Sequence, residues 1–202
     1  MHVKALIVKL FFTQPIRTTS IYLDEFIEKD DFVLDLGMGS GIVASEFSKK
    51  FSVKMQGADI GDFRSPTVTI PLTIFDGKTL PFPDNYFDHV LLSFTLHHSE
   101  DPRELLLEAR RVAKKYIFIY EDILNYNFLR KIAWYVHASF YSFIFGSKEG
   151  GYISEKNWLN IFSLLNLRVL KRQRIKWFHP LNLIPKVLFV LEVNEKPLGV
   201  GK

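Results

Sequence analysis

The chain has 202 residues and a mass of 23.5 kDa, which fits one domain large enough to enclose a small-molecule pocket. Hydrophobic residues make up 48% and charged residues 24%, so disordered and low-complexity classes are excluded. Cysteine is absent, which excludes disulfides, thiolate nucleophiles and cysteine-based metal sites.

No segment has the length and composition of a membrane span. The longest apolar stretch, Ile132–Phe145, has 14 residues and includes a histidine, whereas a helix that crosses a bilayer needs roughly 18 to 20 apolar residues. The first 12 residues combine two lysines with an apolar run but have no small-residue cleavage site. We therefore predict a cytoplasmic protein.

The net charge of +4 is unevenly distributed along the chain. Residues 1–101 carry 9 basic and 14 acidic side chains, whereas residues 102–202 carry 17 basic and 8 acidic ones. Five basic residues lie close together, at Arg168, Lys171, Arg172, Arg174 and Lys176. Either they form the solvated face of a hairpin, or they attract an anionic partner such as a lipid headgroup, an acidic metabolite or RNA.

Hydrophobic periodicity and turn residues predict alternating strands and helices in the first half of the chain. The apolar spacing of residues 19–29 predicts a helix, and the glycine-rich turn at 37–41 separates a buried strand from the next helix. The predicted order is helix 19–29, strand 32–36, helix 42–50 and strands 53–58, 72–75 and 89–93.

The second half continues the alternation. It contains a surface helix at 102–114, a strand at 116–120, helices at 123–145 and 154–165, and strands at 167–175 and 187–193. Strands that alternate with helices of this length indicate a doubly wound α/β fold, a mostly parallel sheet with helices on both faces. The last two strands could form an antiparallel pair.

The glycine-rich turn closes a strand and opens a helix, which is where open α/β sheets bind nucleotide-like ligands. Gly37, Gly39 and Gly41 lack a Cβ, so the backbone can turn sharply and approach a ligand. The spacing differs from the dinucleotide fingerprint, because Ile42 stands where its third glycine would be. The turn also lacks the Gly-Lys-Ser/Thr of a phosphate-binding loop.

Two carboxylates follow the next strands. Asp59 falls just after the second strand, where an acidic side chain can accept hydrogen bonds from both ribose hydroxyls of a nucleoside. Asp76 ends the third strand. Three signals at successive strand ends favour a nucleoside site over unrelated turns and caps.

These segments resemble the class I S-adenosylmethionine-dependent methyltransferases, in particular their small-molecule branch. The resemblance covers residues 31–120 and is carried by VLDLGMGSG, GADI, FDGKTLPFPDNYFDHVLLSFTLHH and DPRELLLEARRVAKKYIFI. It implies a Rossmann-like, mostly parallel sheet of seven strands with the last strand antiparallel. It also implies S-adenosylmethionine as the cofactor.

The resemblance assigns cofactor-binding positions residue by residue. It places the methionine end of the cofactor at Asp35 and the three glycines, the ribose at Asp59 and the adenine amino group at Asp76. Ile60 and Gly77 are expected to flank the adenine, and Ser93 is the remaining cofactor-binding candidate. No metal site is predicted, because His97 and His98 are adjacent and lack a third ligand.

We predict a single methyltransferase domain over residues 1–202. It would comprise an N-terminal helical cap (1–30), a cofactor-binding core (31–122), a helical insertion over the substrate (123–152) and a C-terminal helix with strands (153–202). The insertion has seven aromatic residues between positions 128 and 145, more than one core-facing stripe buries. It could therefore cover a hydrophobic acceptor or pack entirely on its own domain.

Methyl transfer needs little acid–base machinery, because the cofactor is already activated. Candidates for proton transfer lie after the fourth and fifth strands: Ser93, Thr95, His97, His98, Glu121 and Asp122. We predict His97 and Asp122 as catalytic residues, His97 as a base for an acidic hydroxyl or carbon.

The leading interpretation is therefore a methyltransferase acting on a small, hydrophobic or aromatic acceptor. Peripheral contact with an anionic membrane surface is a further expectation, whereas nucleic acid is not an expected partner. The alternatives are an RNA-modifying methyltransferase, a non-catalytic S-adenosylmethionine-binding module and, disfavoured by the glycine spacing, an NAD-dependent oxidoreductase. The sequence leaves the oligomeric state open.

Overall fold

The computed structural model describes residues 13–123, 153–175 and 185–193. The predicted helical insertion over the substrate (123–152) lies outside this part of the chain, apart from its first residue. The first 12 residues and Lys176 also lie outside it. The strands are β1 (Phe32–Leu36), β2 (Lys54–Asp59), β3 (Leu72–Ile74), β4 (Phe87–Ser93), β5 (Ala113–Asp122), β6 (Arg168–Ile175) and β7 (Lys186–Glu192). The helices are α1 (Thr13–Thr19), α2 (Ile42–Phe51), α3 (Pro102–Val112) and α4 (Glu155–Leu164), with 3₁₀ turns at Ser20–Tyr22 and Leu96–His98.

The seven strands form one sheet in the order β3-β2-β1-β4-β5-β7-β6. The pairs of neighbouring strands from β3 to β5 are parallel, and β7 is antiparallel to both β5 and β6. The predicted fold class, with its antiparallel last strand, is therefore confirmed. Because β2 and β4 lie on opposite sides of β1, the strand order reverses there, and ligands bind outside the carboxyl ends of strands at such a point.

The two faces of the sheet bury separate apolar layers, because successive strand residues point to opposite sides. Val33, Leu91 and Phe118 pack with residues of α1 and α2 on one face. Leu34 and Leu92 pack with residues of α3 and α4 on the other. Among the described residues, no helix has the length and apolarity needed to cross a bilayer.

Local capping fixes where α3 and α4 begin. The Asp101 side chain accepts a hydrogen bond from the Arg103 amide at 2.8 Å, and Pro102 occupies the first helical position. The Ser154 hydroxyl caps α4 by accepting from the Asn157 amide at 3.2 Å.

The predicted helix at residues 19–29 is wrong. The α-helix ends at Thr19, and the chain continues through turns in which the Leu23 and Phe26 amides donate to the carbonyls three residues earlier, at 2.8 and 2.9 Å. An apolar spacing of three or four residues is compatible with such consecutive turns as well as with an α-helix. Leu23 is buried in either case.

Candidate functional site

The glycine turn lies between β1 and α2 and has a left-handed backbone at each of its three glycines. The amides of Gly37 and Met38 donate to the Ala58 carbonyl at 2.8 and 3.3 Å, which ties the turn to β2. A Cβ on Gly37 would lie 2.2 Å from the Thr95 side chain, so the loops after β1 and β4 meet here. Only glycine satisfies both the positive φ of 78° and this close approach.

Asp59 binds the glycine turn directly. Its Oδ2 accepts from the Gly39 amide and its Oδ1 from the Ile60 amide, both at 2.7 Å. Burial raises the pKa of Asp59, although these two amide hydrogen bonds oppose the shift. The structure thus brings Asp59, the last residue of β2, into contact with the glycine turn, as the sequence predicts.

Asp35 is the most perturbed acid in this edge of the sheet. Its side chain is buried on β1, and its Oδ1 has no hydrogen-bond partner among the described residues. Burial, with a smaller contribution from the charge of Asp59, raises the pKa of Asp35 to about 7. A cationic ligand group at this oxygen would donate the hydrogen bond that Oδ1 lacks. Its charge would also favour the ionised form of the Asp35 carboxyl.

Other features of this edge also fit a polar ligand. The Ser93 hydroxyl is buried and lacks a hydrogen-bond partner within the described residues. A Cβ built on Gly39 meets no atom of the described chain within 4 Å, so the turn borders open space. The ammonium and hydroxyl groups of S-adenosylmethionine provide donors for these acceptors, so the residues present fit the cofactor.

The predicted adenine-side residues lie at the next strand ends. Asp76 is exposed, and its Oδ1 accepts from the Lys78 and Thr79 amides, both at 2.8 Å. These hydrogen bonds, with the Thr79 amide contributing most, lower the pKa of Asp76. Gly77 lies against Ile60, since a Cβ on this glycine would be 3.3 Å from the Ile60 side chain. Ile60 itself is 65% exposed, as a wall of an open site would be.

Both predicted catalytic residues lie near the carboxyl ends of β4 and β5 and are buried in ion pairs. His97 Nδ1 is 2.7 Å from Glu121 Oε2, and the carboxylate of Asp122 pairs with the ammonium of Lys186. Burial opposes the imidazolium form of His97, but the Glu121 carboxylate outweighs it and raises the pKa.

Sequence reasoning missed Lys186, because its partner is 64 positions away and the antiparallel register of β5 and β7 brings the two together. Sequence reasoning also missed the left-handed backbone conformation of Phe94, which follows β4 and has a φ of 58°. A left-handed conformation is strained for a bulky side chain, and such strain clusters at functional sites.

Within the described ranges, no three histidine or acidic side chains are placed so that they could hold a metal ion. The site is instead a set of acidic, small and histidine residues around one edge of a parallel sheet. This chemistry suits a phosphate-free nucleoside with a cationic group better than a pyrophosphate.

Comparison with known proteins decides the family. Residues 34–119 match the model of a methyltransferase domain. Over these residues, which are less than half of its length, the chain contains a methyltransferase domain. The predicted family and its S-adenosylmethionine cofactor are thus confirmed.

Two curated relatives and one solved structure illustrate the likeness. The chain is 34% identical over 93 residues to a ubiquinone/menaquinone biosynthesis C-methyltransferase of Bordetella avium, a match that covers 41% of this chain and 36% of the relative. It is 38% identical over 90 residues to a demethylmenaquinone methyltransferase of Corynebacterium efficiens, with the same two coverages. The matches thus span little more than a third of these relatives.

The whole fold, by contrast, is shared with solved methyltransferases. A S-adenosylmethionine-dependent methyltransferase from Aquifex aeolicus superposes with a TM-score of 0.67 at 18% identity and covers 93% of both chains. The sequence similarity to the curated relatives thus covers 41% of the chain, whereas the shared fold covers 93% of it.

Proposed function

We propose that the protein transfers a methyl group from S-adenosylmethionine to a small, hydrophobic or aromatic acceptor. The observation that carries the proposal is the contact between the Asp59 carboxylate and the Gly39 amide, close to Asp35, whose Oδ1 has no hydrogen-bond partner among the described residues. Together they form an acidic cradle beside β1, where the strand order of the sheet reverses. The methyltransferase family match supports the same reaction.

The chain's own residues would divide the work along the strand ends. When bound, S-adenosylmethionine supplies an activated methyl group on a sulfonium. Asp35 and the glycine turn would hold the methionine end, and Asp59 the ribose hydroxyls. Asp76, with Ile60 and Gly77, would hold the adenine. His97 would take up the proton that the acceptor loses, and Asp122 would keep its charge pair with Lys186 beside it.

The acceptor we favour is a quinol-type aromatic ring. Two curated relatives that match 41% of this chain carry names that refer to menaquinone methylation. A hydrophobic acceptor also agrees with the aromatic composition of residues 123–152. Carbon is the atom methylated by the first of these relatives, and we extend this choice of atom to the present chain as part of the proposal.

Calorimetric titration tests the cofactor assignment. The intact protein should bind S-adenosylmethionine and its demethylated product, and Asp59→Asn should weaken both by about tenfold or more, since a carboxylate accepts two hydroxyls better than an amide does. The matched control is Asp62→Asn, because Asp62 is exposed and pairs with Arg64. Absence of binding at millimolar cofactor, or binding of NAD instead, would overturn the proposal.

Peripheral contact with an anionic membrane stays a prediction. On β6, the described basic residues pair with carboxylates: Arg168 with Glu192, Lys171 with Glu25, and Arg172 and Arg174 with Glu155. β6 is an edge strand, and charged side chains on an edge discourage pairing with other chains. Co-sedimentation with anionic and neutral vesicles at two salt concentrations decides the matter, and equal recovery with both would contradict membrane contact.

A further inference from the structure

Four ionisable side chains are buried together where β4, β5 and β7 meet at the carboxyl edge. They are His97, Glu121, Asp122 and Lys186, each at most 6% exposed. The register of β5 and β7 places Asp122 opposite Lys186, and the 3₁₀ turn after β4 brings His97 to Glu121. Burying this many charges is unfavourable unless each one is paired, so their arrangement needs an explanation.

Glu121 is the fully buried member of the cluster, and it uses both oxygens. Its Oε2 faces His97 Nδ1 at 2.7 Å, and its Oε1 accepts from the Leu96 amide at 2.8 Å. One carboxylate therefore holds two consecutive residues of the turn. The residues before it on β5, 117–120, are all buried and mostly apolar, so a charged residue at this position is unusual for the strand.

We propose that Glu121 is the positioning residue for His97, keeping a proton on Nδ1 so that Nε2 exchanges protons with the acceptor. The inference rests on the proposed methyl transfer and deepens it. The acceptor atom gives its proton to Nε2 and uses the freed electron pair to bond the methyl carbon, while the electrons of the broken sulfur–carbon bond stay on sulfur. The acceptor class is therefore a nucleophile that carries an acidic proton, such as a phenol or an enol-forming carbon, rather than a tertiary amine or a thioether.

The other charges around His97 are consistent with this role. Asp122 on β5 adds to the effect of Glu121, whereas Lys186 on β7 opposes it, and Asp122 and Lys186 largely neutralise each other as a pair. The His98 ring lies next to the His97 ring, with 4.1 Å between their centroids. Among the described residues, Glu121 is thus the carboxylate that contacts His97 Nδ1 directly, at 2.7 Å.

Nitrogen NMR of histidine-labelled protein tests the proposal without an acceptor. The wild-type protein should show neutral His97 as the Nδ1–H tautomer, with resonances assigned through His97→Gln. Glu121→Gln should lower the pKa of His97 by about one unit or more and shift the tautomer towards Nε2–H. Glu155→Gln is the matched control, since Glu155 is also a buried glutamate but pairs with Arg172 and Arg174.

The outcomes separate the two proposals. If neutral wild-type His97 carries its proton on Nε2, or if Glu121→Gln leaves the pKa and the tautomer unchanged, the positioning role is wrong. The wild-type tautomer decides even if Glu121→Gln fails to fold. If the tautomer is as expected but calorimetry shows no S-adenosylmethionine binding, the proposed function is what fails, and the catalytic role of the pair fails with it.

Turnover gives a second measurement once a phenolic or enolisable acceptor has been found by screening with labelled cofactor. Glu121→Gln should lower kcat by about 100-fold and move the acidic limb of the pH profile to lower pH, with the KM for the cofactor unchanged. Glu121→Asp should restore part of the rate. A lower rate without a shift of the acidic limb would indicate a merely structural role.

Discussion

Around β1, buried polar groups are used in opposite ways at the amino edge of the sheet, where the parallel strands begin, and at the carboxyl edge, where they end. At the amino edge, Asp31 accepts hydrogen bonds from the Glu28 amide at 2.7 Å, from His89 at 2.9 Å and from Lys115 at 3.3 Å. At the carboxyl edge, Asp35 Oδ1 and Ser93 Oγ have no partner within the described chain. The first edge satisfies its charges internally, whereas the second keeps acceptors that a ligand can satisfy.

The pKa shifts follow the same division. Burial opposes ionisation of Asp31, but its hydrogen bonds outweigh this and lower the pKa. Burial of Asp35 meets no such compensation, and the pKa rises to about 7. At the amino edge, His89 Nδ1 has no hydrogen-bond partner within the described part of the chain, which fits a neutral imidazole that donates through Nε2 to Asp31. The comparison indicates that the amino edge stabilises the fold and the carboxyl edge binds.

The largest effect is expected in the glycine turn. Gly39→Ala introduces a methyl group into open space beside the turn, so cofactor affinity should fall by about 100-fold. The fold should lose only about 1 to 2 kcal/mol, the penalty of a left-handed alanine. Calorimetry measures the affinity, and urea unfolding measures the stability.

Gly37→Ala is the contrasting variant. Its methyl group would collide with Thr95, so both stability and affinity should fall. Gly39→Ala protein that binds S-adenosylmethionine as tightly as the wild type would show that the cofactor lies elsewhere.

The next effect is a trade between stability and binding at Asp35. Because the folded protein keeps the Asp35 proton up to about pH 7 and the unfolded chain releases it near 3.8, stability should fall as the pH rises between these values. The slope approaches about 1.4 kcal/mol per pH unit. Asp35→Asn should remove this slope and be more stable than the wild type at pH 8, as urea unfolding would show.

Cofactor binding should show the linked effect. Asp35 must ionise to pair with a cationic group, so wild-type affinity for S-adenosylmethionine should rise up to about tenfold per pH unit as the pH approaches 7 from below. Asp35→Asn should bind more weakly and without this dependence. A pH-independent wild-type affinity would separate Asp35 from the binding site.

The sequence predicts the parts of the fold and site that depend on local patterns. Strand ends, the glycine turn and Asp59 all follow from apolar runs and turn residues, and the contact of Asp59 with Gly39 needs only that parallel strands end together. The helix predicted at residues 19–29 is wrong because the prediction rested on apolar spacing alone. This spacing is the same in an α-helix and in consecutive turns.

Long-range contacts are what the sequence does not provide. Lys186 reaches Asp122 only through the antiparallel register of β5 and β7. Arg111 is a similar case, because it donates to the carbonyls of Leu80 and Phe82 at 2.9 and 2.7 Å and so fixes the loop of the LPFPD segment. That segment leads into the start of β4 at the amino edge, so its prominence in the family resemblance reflects architecture as well as the cofactor.

At the amino edge we expect the opposite of the Gly39→Ala result, namely a loss of stability without a loss of cofactor affinity. Asp31→Ala removes the acceptor of three hydrogen bonds and leaves the buried His89 without its partner, so the free energy of unfolding should fall by about 3 kcal/mol. Cofactor affinity, measured on the folded protein, should stay within twofold of the wild type. The control is Asp24→Ala, an exposed acid in the same segment. A large loss of affinity in Asp31→Ala would contradict the division between the edges.

The smallest expected effect is the pH dependence of stability that arises from the buried His89 and His97, which has opposite sign for the two residues. Burial lowers the pKa of His89 despite the attraction of Asp31 and Asp88, with Lys115 adding to the reduction, so the folded state resists its protonation and loses stability as the pH falls below 6.5. His97 has a raised pKa and so contributes stability below 6.5 that is lost as the pH rises through its folded value. Urea unfolding of the wild type and of His89→Gln at about pH 7.5 and about pH 5.5 isolates the contribution of His89. Asp35 and His97 titrate in both proteins, so their contributions cancel in the comparison. The wild type should show the less favourable change on acidification, whereas identical changes would mean that His89 is protonated as easily in the fold as in the unfolded chain.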